Sequence, residues 1–462
     1  MPSKPTTPVT RSINPATGHT VGEYPFDTPE QLEAALALAH DGYSAWSATP
    51  VEQRLDAIRQ LGALLRRDKD SLALLATREM GKPITQARAE VEKCAVLCDW
   101  YADHGGPILA PKPTPIGADA TVIHQPMGVI LAVMPWNFPY WQIVRGAIPI
   151  LLGGNAYFLK HAPNVMGCAG KTQALFEEAG FPAGAFLSVN LDNAQVSRVI
   201  TDPSIAGVAV TGSVRAGGAI AQQAGAALKK TVLELGGSDP FIVLADADLD
   251  AAVEAAVVGR FQNSGQICVA AKRIILERPI AQEFTERFVR AVRALKMGDP
   301  ERDDVYIGPM ARADLRDELH QQVQESVRLG AEVLLGGQVP DHAGSYYEPT
   351  VLGAVAPGMP AFDQETFGPV AALCIADDVE HAIRLANQSE YGLSGSVWTR
   401  NRELGNRIAA RVETGGFFIN SYPVSDPRIP IGGIKKSGYG RELSDLGVYE
   451  FMNTRAVWFN RK

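Results

Sequence analysis

Val208-Ala-Val-Thr-Gly212-Ser213-Val-Arg-Ala-Gly217 passes within a few residues from an apolar strand pattern, through a Gly-Ser turn, into a helical pattern. A strand that hands over so quickly to a helix is half of a βαβ unit, in which the chain crosses back over the sheet to add a parallel neighbour. Free N–H groups and the dipole at such a helix start favour a phosphate, and Ser213 serves equally as an ordinary N-cap. The alternation extends both ways. Residues 128–134, 156–159, 186–189, 207–210 and 231–233 read as strands, with helical stretches such as 165–178 and 214–224 between them. A parallel sheet follows.

After Gly236-Gly237 the rhythm resumes with a strand at 241–244, a helix at 249–261, a strand at 273–277 and further units to Phe417-Phe418-Ile419. A second α/β domain is expected, as the length of 462 residues also requires. Ahead of the first sheet, residues 29–46, 51–78 and 84–103 carry apolar residues at intervals of three and four, which predicts helices. The proline-rich 107–126 turns extended at 120–124 and predicts a protruding strand pair. A terminal strand at 455–459 has no evident partner, which predicts pairing between subunits.

Composition excludes several classes. With 46% hydrophobic and 20% charged residues the chain is neither disordered nor fibrous, and a net charge of -8 disfavours nucleic acid as a partner. The longest apolar run, 143–159, is broken by Arg145, Pro149, Gly153, Gly154 and Asn155, so no membrane span is expected. The first 18 residues lack an apolar core and read as a loose tail, not a signal peptide, giving a cytoplasmic expectation. Five cysteines, an odd number thinly spread, predict free thiols. Cys94 and Cys98 have no matching ligand cluster elsewhere, so core packing rather than a metal site is expected.

Three places carry candidate chemistry. Asn137, bracketed in Met134-Pro-Trp136-Asn137-Phe138-Pro139, is a rigidly held amide suited to an oxyanion or simply a turn residue. Glu234 ends an apolar strand before Gly236-Gly237, where a carboxylate is either partnered or raised in pKa and available as a base. Cys268 lies in Phe261-Gln-Asn-Ser-Gly-Gln-Ile-Cys268, polar surroundings unlike those of a packing cysteine. No Walker lysine follows Gly212-Ser213, which disfavours an ATPase.

These segments, with Ile13-Asn-Pro-Ala-Thr-Gly18, Leu233-Glu234-Leu-Gly-Gly237, Glu365-Thr-Phe367-Gly-Pro369 and the stretch from Lys435 to Glu442, resemble the aldehyde dehydrogenase superfamily in order along nearly the whole chain. The resemblance implies a Rossmann-type cofactor domain from 1–110 and 130–233 and an α/β catalytic domain at 234–425. It also implies a small β oligomerisation element from 111–129 and 426–462. It implies Cys268 as nucleophile, Asn137 and the Cys268 N–H as oxyanion donors, and Glu234 as the base that activates water, with no metal. Covalent catalysis of this kind divides one difficult oxidation into two steps. NAD or NADP would be held by Trp136, Lys160, Pro163, Gly212, Ser213, Leu235, Glu365 and Phe367. Pro163 stands where strictly NAD-dependent members often carry a carboxylate that repels a 2′-phosphate, so NADP is expected to be tolerated beside NAD.

Within the superfamily the chain most resembles succinate semialdehyde dehydrogenases. Arg145 matches an arginine that grips the distal carboxylate and Ser425 a partnering hydroxyl, while Gln262 replaces a second arginine. Arg145 as an interdomain ion-pair residue is the other reading. Succinate semialdehyde is the expected substrate, with glutarate semialdehyde or uncharged aldehydes as the broader alternative. A CoA-acylating enzyme is disfavoured by Glu234, and a silent structural protein by the complete Cys268, Glu234 and Asn137 set. A homodimer or homotetramer is implied. Ala270 excludes a vicinal disulfide at the nucleophile.

Overall fold

The computed structural model describes residues 9–460. A six-stranded sheet runs in the order Gly438–Tyr439, Lys230–Glu234, Ile205–Thr211, Val129–Val133, Ala156–Lys160, Phe186–Val189. All neighbours are parallel except the short Gly438–Tyr439 strand, which joins Lys230–Glu234 antiparallel. The chain builds outward from Val129–Val133 on one side, then returns to add Ile205–Thr211 on the other. The direction of winding therefore reverses between those two strands, and a crevice opens beyond their carboxyl ends.

The link 235–238 leads into a seven-stranded sheet. Its order is Glu332–Leu335, Thr350–Gly353, Val370–Ala376, Ala271–Glu277, Asp239–Val243, Ser394–Trp398, Gly416–Ile419. It is parallel apart from the edge pairing of Glu332–Leu335 with Thr350–Gly353. Both faces of each sheet carry apolar side chains, as parallel strands require.

The helical expectations need two adjustments. The stretch read as one helix over 51–78 is two, Val51–Arg67 and Lys69–Met80, broken at Asp68. Asp68 has φ -97° and ψ 9°, and its carboxylate pairs with Arg67 at 2.8 Å. Helix Ile84–Leu109 runs past the expected end at 103 and takes in Pro107. Cys94 and Cys98 on this helix are fully buried in the core. The expected loose tail is corrected as well. Residues 1–8 lie outside the described residues, but Val9–Ile13 pairs antiparallel with Thr20–Pro25. Ser12 from this hairpin donates to buried Glu79 at 2.6 Å, which docks it on the helices.

The C-terminal strand has an in-chain partner, contrary to expectation. Met452–Trp458 pairs antiparallel with Gly117–Pro126, from Met452 opposite Pro126 to Trp458 opposite Ala120, and Lys112–Thr114 completes the sheet. Some 330 residues separate the partners, so local pattern gave no sign of the pairing. Among the described residues no helix is long and apolar enough to cross a membrane.

Two buried arginines lock the second sheet to the loops at its amino edge. Arg273 donates to the carbonyls of Ser238, Leu385 and Ala386 at 2.7–2.9 Å. Arg260, on helix Leu249–Phe261, donates to Gly265 at 3.1 Å, Thr366 at 2.9 Å, and the carbonyls of Gly368 and Val370. Replacing Arg260 by Met leaves these carbonyls buried without donors and is expected to destabilise the fold by roughly 3–5 kcal/mol. Arg260→Lys should recover little, because an ammonium lacks the planar fork. Urea unfolding of both variants checks this, and a loss below about 1 kcal/mol in Arg260→Met would refute the assigned role.

Candidate active site

The carboxyl edge of the six-stranded sheet delivers the first side chains. Strand Val129–Val133 runs into Pro135-Trp136-Asn137, and Ile205–Thr211 into Gly212-Ser213. Lys230–Glu234 ends on the carboxylate itself. The segment after Asn137 is held from outside. Glu90 accepts from the N–H groups of Tyr140 and Trp141 at 2.8 and 2.9 Å, at the start of helix Trp141–Leu152. Its second oxygen pairs with buried Lys82, whose ammonium lies 3.7 Å from the Phe138 ring centre. Asn137 thereby has little freedom. Its Nδ2 donates to the Gln266 carbonyl at 3.0 Å, and a primary amide carries a second hydrogen for another acceptor.

The opposite wall is the turn that follows helix Leu249–Phe261. Asn263, Ser264 and Gly265 all adopt left-handed backbone conformations, with φ of 53°, 52° and 72°. Such a run is strained for non-glycine residues and must be over-determined by its surroundings. Asn263 Nδ2 donates to the Asn137 carbonyl at 2.8 Å, its N–H donates to Gln86 at 2.6 Å, and Ser264 Oγ donates to Gly308 at 3.0 Å. A Cβ on Gly265 would lie 2.2 Å from the Gly368 carbonyl, so only glycine fits there. The strained turn aims Cys268 into the same cleft as Asn137 and Glu234. Cys268 is the one cysteine of the described residues that is not buried.

Electrostatics in the cleft oppose ionisation. Enclosure pushes the Cys268 thiol up to about 11, against the pull of Arg145 and Lys272. Burial also raises the Glu234 carboxyl, with Glu442 adding to the shift and Arg145 countering it. Glu234 is 3% exposed and its Oε1 has no protein hydrogen-bond partner among the described residues. A raised, unpartnered carboxylate beside a thiol is equipped to take a proton from water.

Trp136, Gly212, Ser213, Leu235, Glu365 and Phe367 line the cleft with these three. Ser213 caps helix Val214–Ala226 by accepting from Ala216 N–H at 3.3 Å, and nothing lies within 4 Å of the Cβ position on Gly212. A helix start with open backbone in front of it fits a pyrophosphate. Glu365 accepts from Gly237 N–H at 3.0 Å, and a Cβ on Gly236 would meet its Oε2 at 2.2 Å. Trp136 and Phe367 meet edge-to-face at 5.7 Å. These features fit a dinucleotide. Lys160 ends the next strand, and Pro163 opens the short turn Pro163–Val165 beyond it; neither lines the cleft itself.

The residues expected to bind a carboxylated substrate are placed differently. Buried Arg145 is paired with Glu442 at 2.5 Å and reaches Thr211 Oγ1 at 3.4 Å, which is the ion-pair alternative to carboxylate binding. It does not line the cleft, nor does Gln262. The Ser425 hydroxyl faces Lys93 rather than Arg145.

Lys272 escaped the sequence reading. Its buried ammonium donates to the carbonyls of Cys268 at 2.6 Å and Ile267 at 3.0 Å and pairs with Glu365 at 3.3 Å. It ties the turn bearing Cys268 to Glu365. The available signal was Lys272-Arg273 inside an otherwise apolar strand, an arrangement that demands internal partners. Glu442 and Gln142 were also missed. Gln142 donates to Asn137 Oδ1 at 3.4 Å.

Residues 3–457 match the aldehyde dehydrogenase family. The chain is 56% identical over 458 residues to the succinate semialdehyde dehydrogenase [NAD(P)+] Sad of Escherichia coli, covering 98% of this chain and 99% of that one. It is 42% identical over 451 residues to succinate-semialdehyde dehydrogenase [NADP(+)] 1 of Mycobacterium tuberculosis, covering 97% and 99%. The crystal structure of succinic semialdehyde dehydrogenase from Streptococcus pyogenes with NADP+ superposes with a TM-score of 0.95 at 38% identity, covering 98% of this chain and all of that one. The likeness runs through both sheets and every segment that builds the cleft, and this chain belongs to the aldehyde dehydrogenase family.

Proposed function

We propose that the chain oxidises succinate semialdehyde to succinate with NAD or NADP. The observation that carries the oxidation is the shared cleft, which Cys268, Asn137 and Glu234 line together with the Gly212-Ser213 helix start. The choice of aldehyde and cofactor is supported by the high identity to the E. coli enzyme of that name. Pro163 adds support for NADP, since no carboxylate stands at that position to repel a 2′-phosphate.

The Cys268 thiolate adds to the aldehyde carbon, and the oxygen that gains the electron pair is held by Asn137 Nδ2 and the Cys268 N–H. When bound, the nicotinamide supplies the acceptor for the hydride that then leaves this carbon. The resulting thioester on Cys268 is attacked by water. Glu234 takes the proton, the carbon–sulfur bond breaks, and the acid departs. Glu365, held by Gly237 N–H and Lys272, would receive the nicotinamide ribose in this reading.

The reading extends to assembly. Met452–Trp458 is an edge strand, and Trp458 and Phe459 are 65% and 68% exposed, which favours burial against another copy in a homodimer or dimer of dimers.

Cys268→Ala should abolish NAD(P)H production. Glu234→Gln should keep a single burst of NAD(P)H while steady turnover falls about 10²–10⁴-fold, as expected for loss of a general base. Wild-type turnover in Glu234→Gln would exclude that role. Because the thiol is raised, its thiolate fraction grows as pH climbs toward about 11. Iodoacetamide labelling of Cys268 should therefore accelerate roughly tenfold per pH unit above neutrality, and a flat profile would contradict the assigned environment. Across succinate semialdehyde, glutarate semialdehyde, butanal and benzaldehyde, kcat/KM should be highest for the first; equal values would favour the broader reading. Sedimentation of Trp458→Asp should show smaller species than wild type, and an unchanged profile would argue against this edge as the interface.

A further inference from the structure

Helix Ala313–Arg328 forms one wall of the cleft, and Leu315, Glu318, Leu319 and Gln322 line it at the three- and four-residue spacing of a single helix face. Gln322 fixes where that face points. Its Nε2 donates to Gln364 Oε1 at 3.1 Å and to the Glu365 carbonyl at 3.3 Å, so the helix lies against the loop that carries Glu365 and Phe367. Glu318 stands one turn earlier on the same face, about 6 Å along the axis. It is exposed, and among the described residues no hydrogen bond or ion pair engages it. The cations nearest along the chain are taken, Arg312 by Asp314 at 2.7 Å and Arg316 by Asp317 at 2.8 Å.

The charge balance of the cleft gives this carboxylate weight. Glu234, Glu318 and Glu365 line the cavity, and no lysine or arginine does. Glu365 is compensated by Lys272 at 3.3 Å, and enclosure holds Glu234 toward its protonated form. Glu318 is left as the uncompensated negative charge on the wall. An oxidised nicotinamide ring is positive, and the hydride it takes from the substrate carbon neutralises it. The dinucleotide therefore leaves with one more net negative charge than it brought. In a cavity of about 910 Å³ a charge on the wall acts on the ligand within roughly a Debye length, about 8 Å at physiological salt.

We propose that Glu318 sets the balance between oxidised and reduced cofactor, its carboxylate loosening the hold on NAD(P)H relative to NAD(P)+ and so favouring release of the product. This rests on the reading of the cleft as a nicotinamide dinucleotide site. The attraction between Glu318 and the positive ring exists before hydride transfer and is gone after it, while the repulsion from the phosphates remains.

Equilibrium titration of the full chain with NADP+ and with NADPH, followed by tryptophan fluorescence, tests this without turnover. In Glu318→Gln, which keeps the shape and removes the charge, Kd for NADPH should fall about three- to tenfold and Kd for NADP+ by less than about twofold. Glu318→Asp should keep the wild-type ratio of the two constants. The difference between Glu318→Gln and wild type should shrink at about 1 M salt, where screening shortens the reach of the charge to about 3 Å. Equal tightening of both forms, unchanged constants, weaker binding of NADPH, or a difference that salt leaves intact overturns the proposal. A wild-type chain that binds neither dinucleotide overturns the reading of the cleft, and the role of Glu318 with it.

Discussion

Arg260 is a buried cation bonded to carbonyl oxygens, and it stands where the helix Leu249–Phe261, the turn that leads to Cys268, and the loop bearing Glu365 and Phe367 converge. A guanidinium out of water is costly unless its donors are satisfied, so its burial fixes all the carbonyls around it at once. Enclosure brings even this group down to about 9. The gain is rigidity at the place that needs it. Asn263, Ser264 and Gly265 can be left-handed in succession because Arg260 holds the Gly265 carbonyl from within while Asn137, Gln86 and Gly308 hold the two side chains and the backbone from outside.

The cleft trades ionisation for reactivity. Burial disfavours the charged forms of both Cys268 and Glu234, yet a thiol of high pKa is a strong nucleophile once deprotonated, and a raised carboxyl is a better base than an ordinary one. Arg145 and Lys272 soften the cost without contacting either group, since Arg145 is spent on Glu442 and Lys272 on backbone carbonyls and Glu365. Both cations thus temper the upward shift of the Cys268 thiol from positions fixed by other partners.

The sheets were legible in the sequence because buried parallel strands are short apolar runs bounded by turn residues, and the segment from Val208 to Gly217 displays the whole strand, turn and helix unit. Asn137, Glu234 and Cys268 were legible because each breaks the pattern of its surroundings: an amide among bulky residues and prolines, a carboxylate ending an apolar strand, a thiol in a polar loop. Arg260 and Lys272 break it in the same way, within a helix and a strand that are otherwise apolar, but nothing local tells which carbonyls they hold. The break at Asp68 was hidden because the apolar spacing continues across it from Leu65 to Leu72.

By itself, the sequence determined the alternation of strands and helices and the residues able to do thiol chemistry, because these depend on residue type and near neighbours along the chain. Only the tertiary structure decided partnerships across long separations. It gave Met452–Trp458 its strand partner at Gly117–Pro126, gave Arg145 to Glu442, and gave Ser425 to Lys93. A charged side chain is committed by whichever opposite charge or acceptor the fold brings within about 3 Å, and that distance is set by packing between elements hundreds of residues apart.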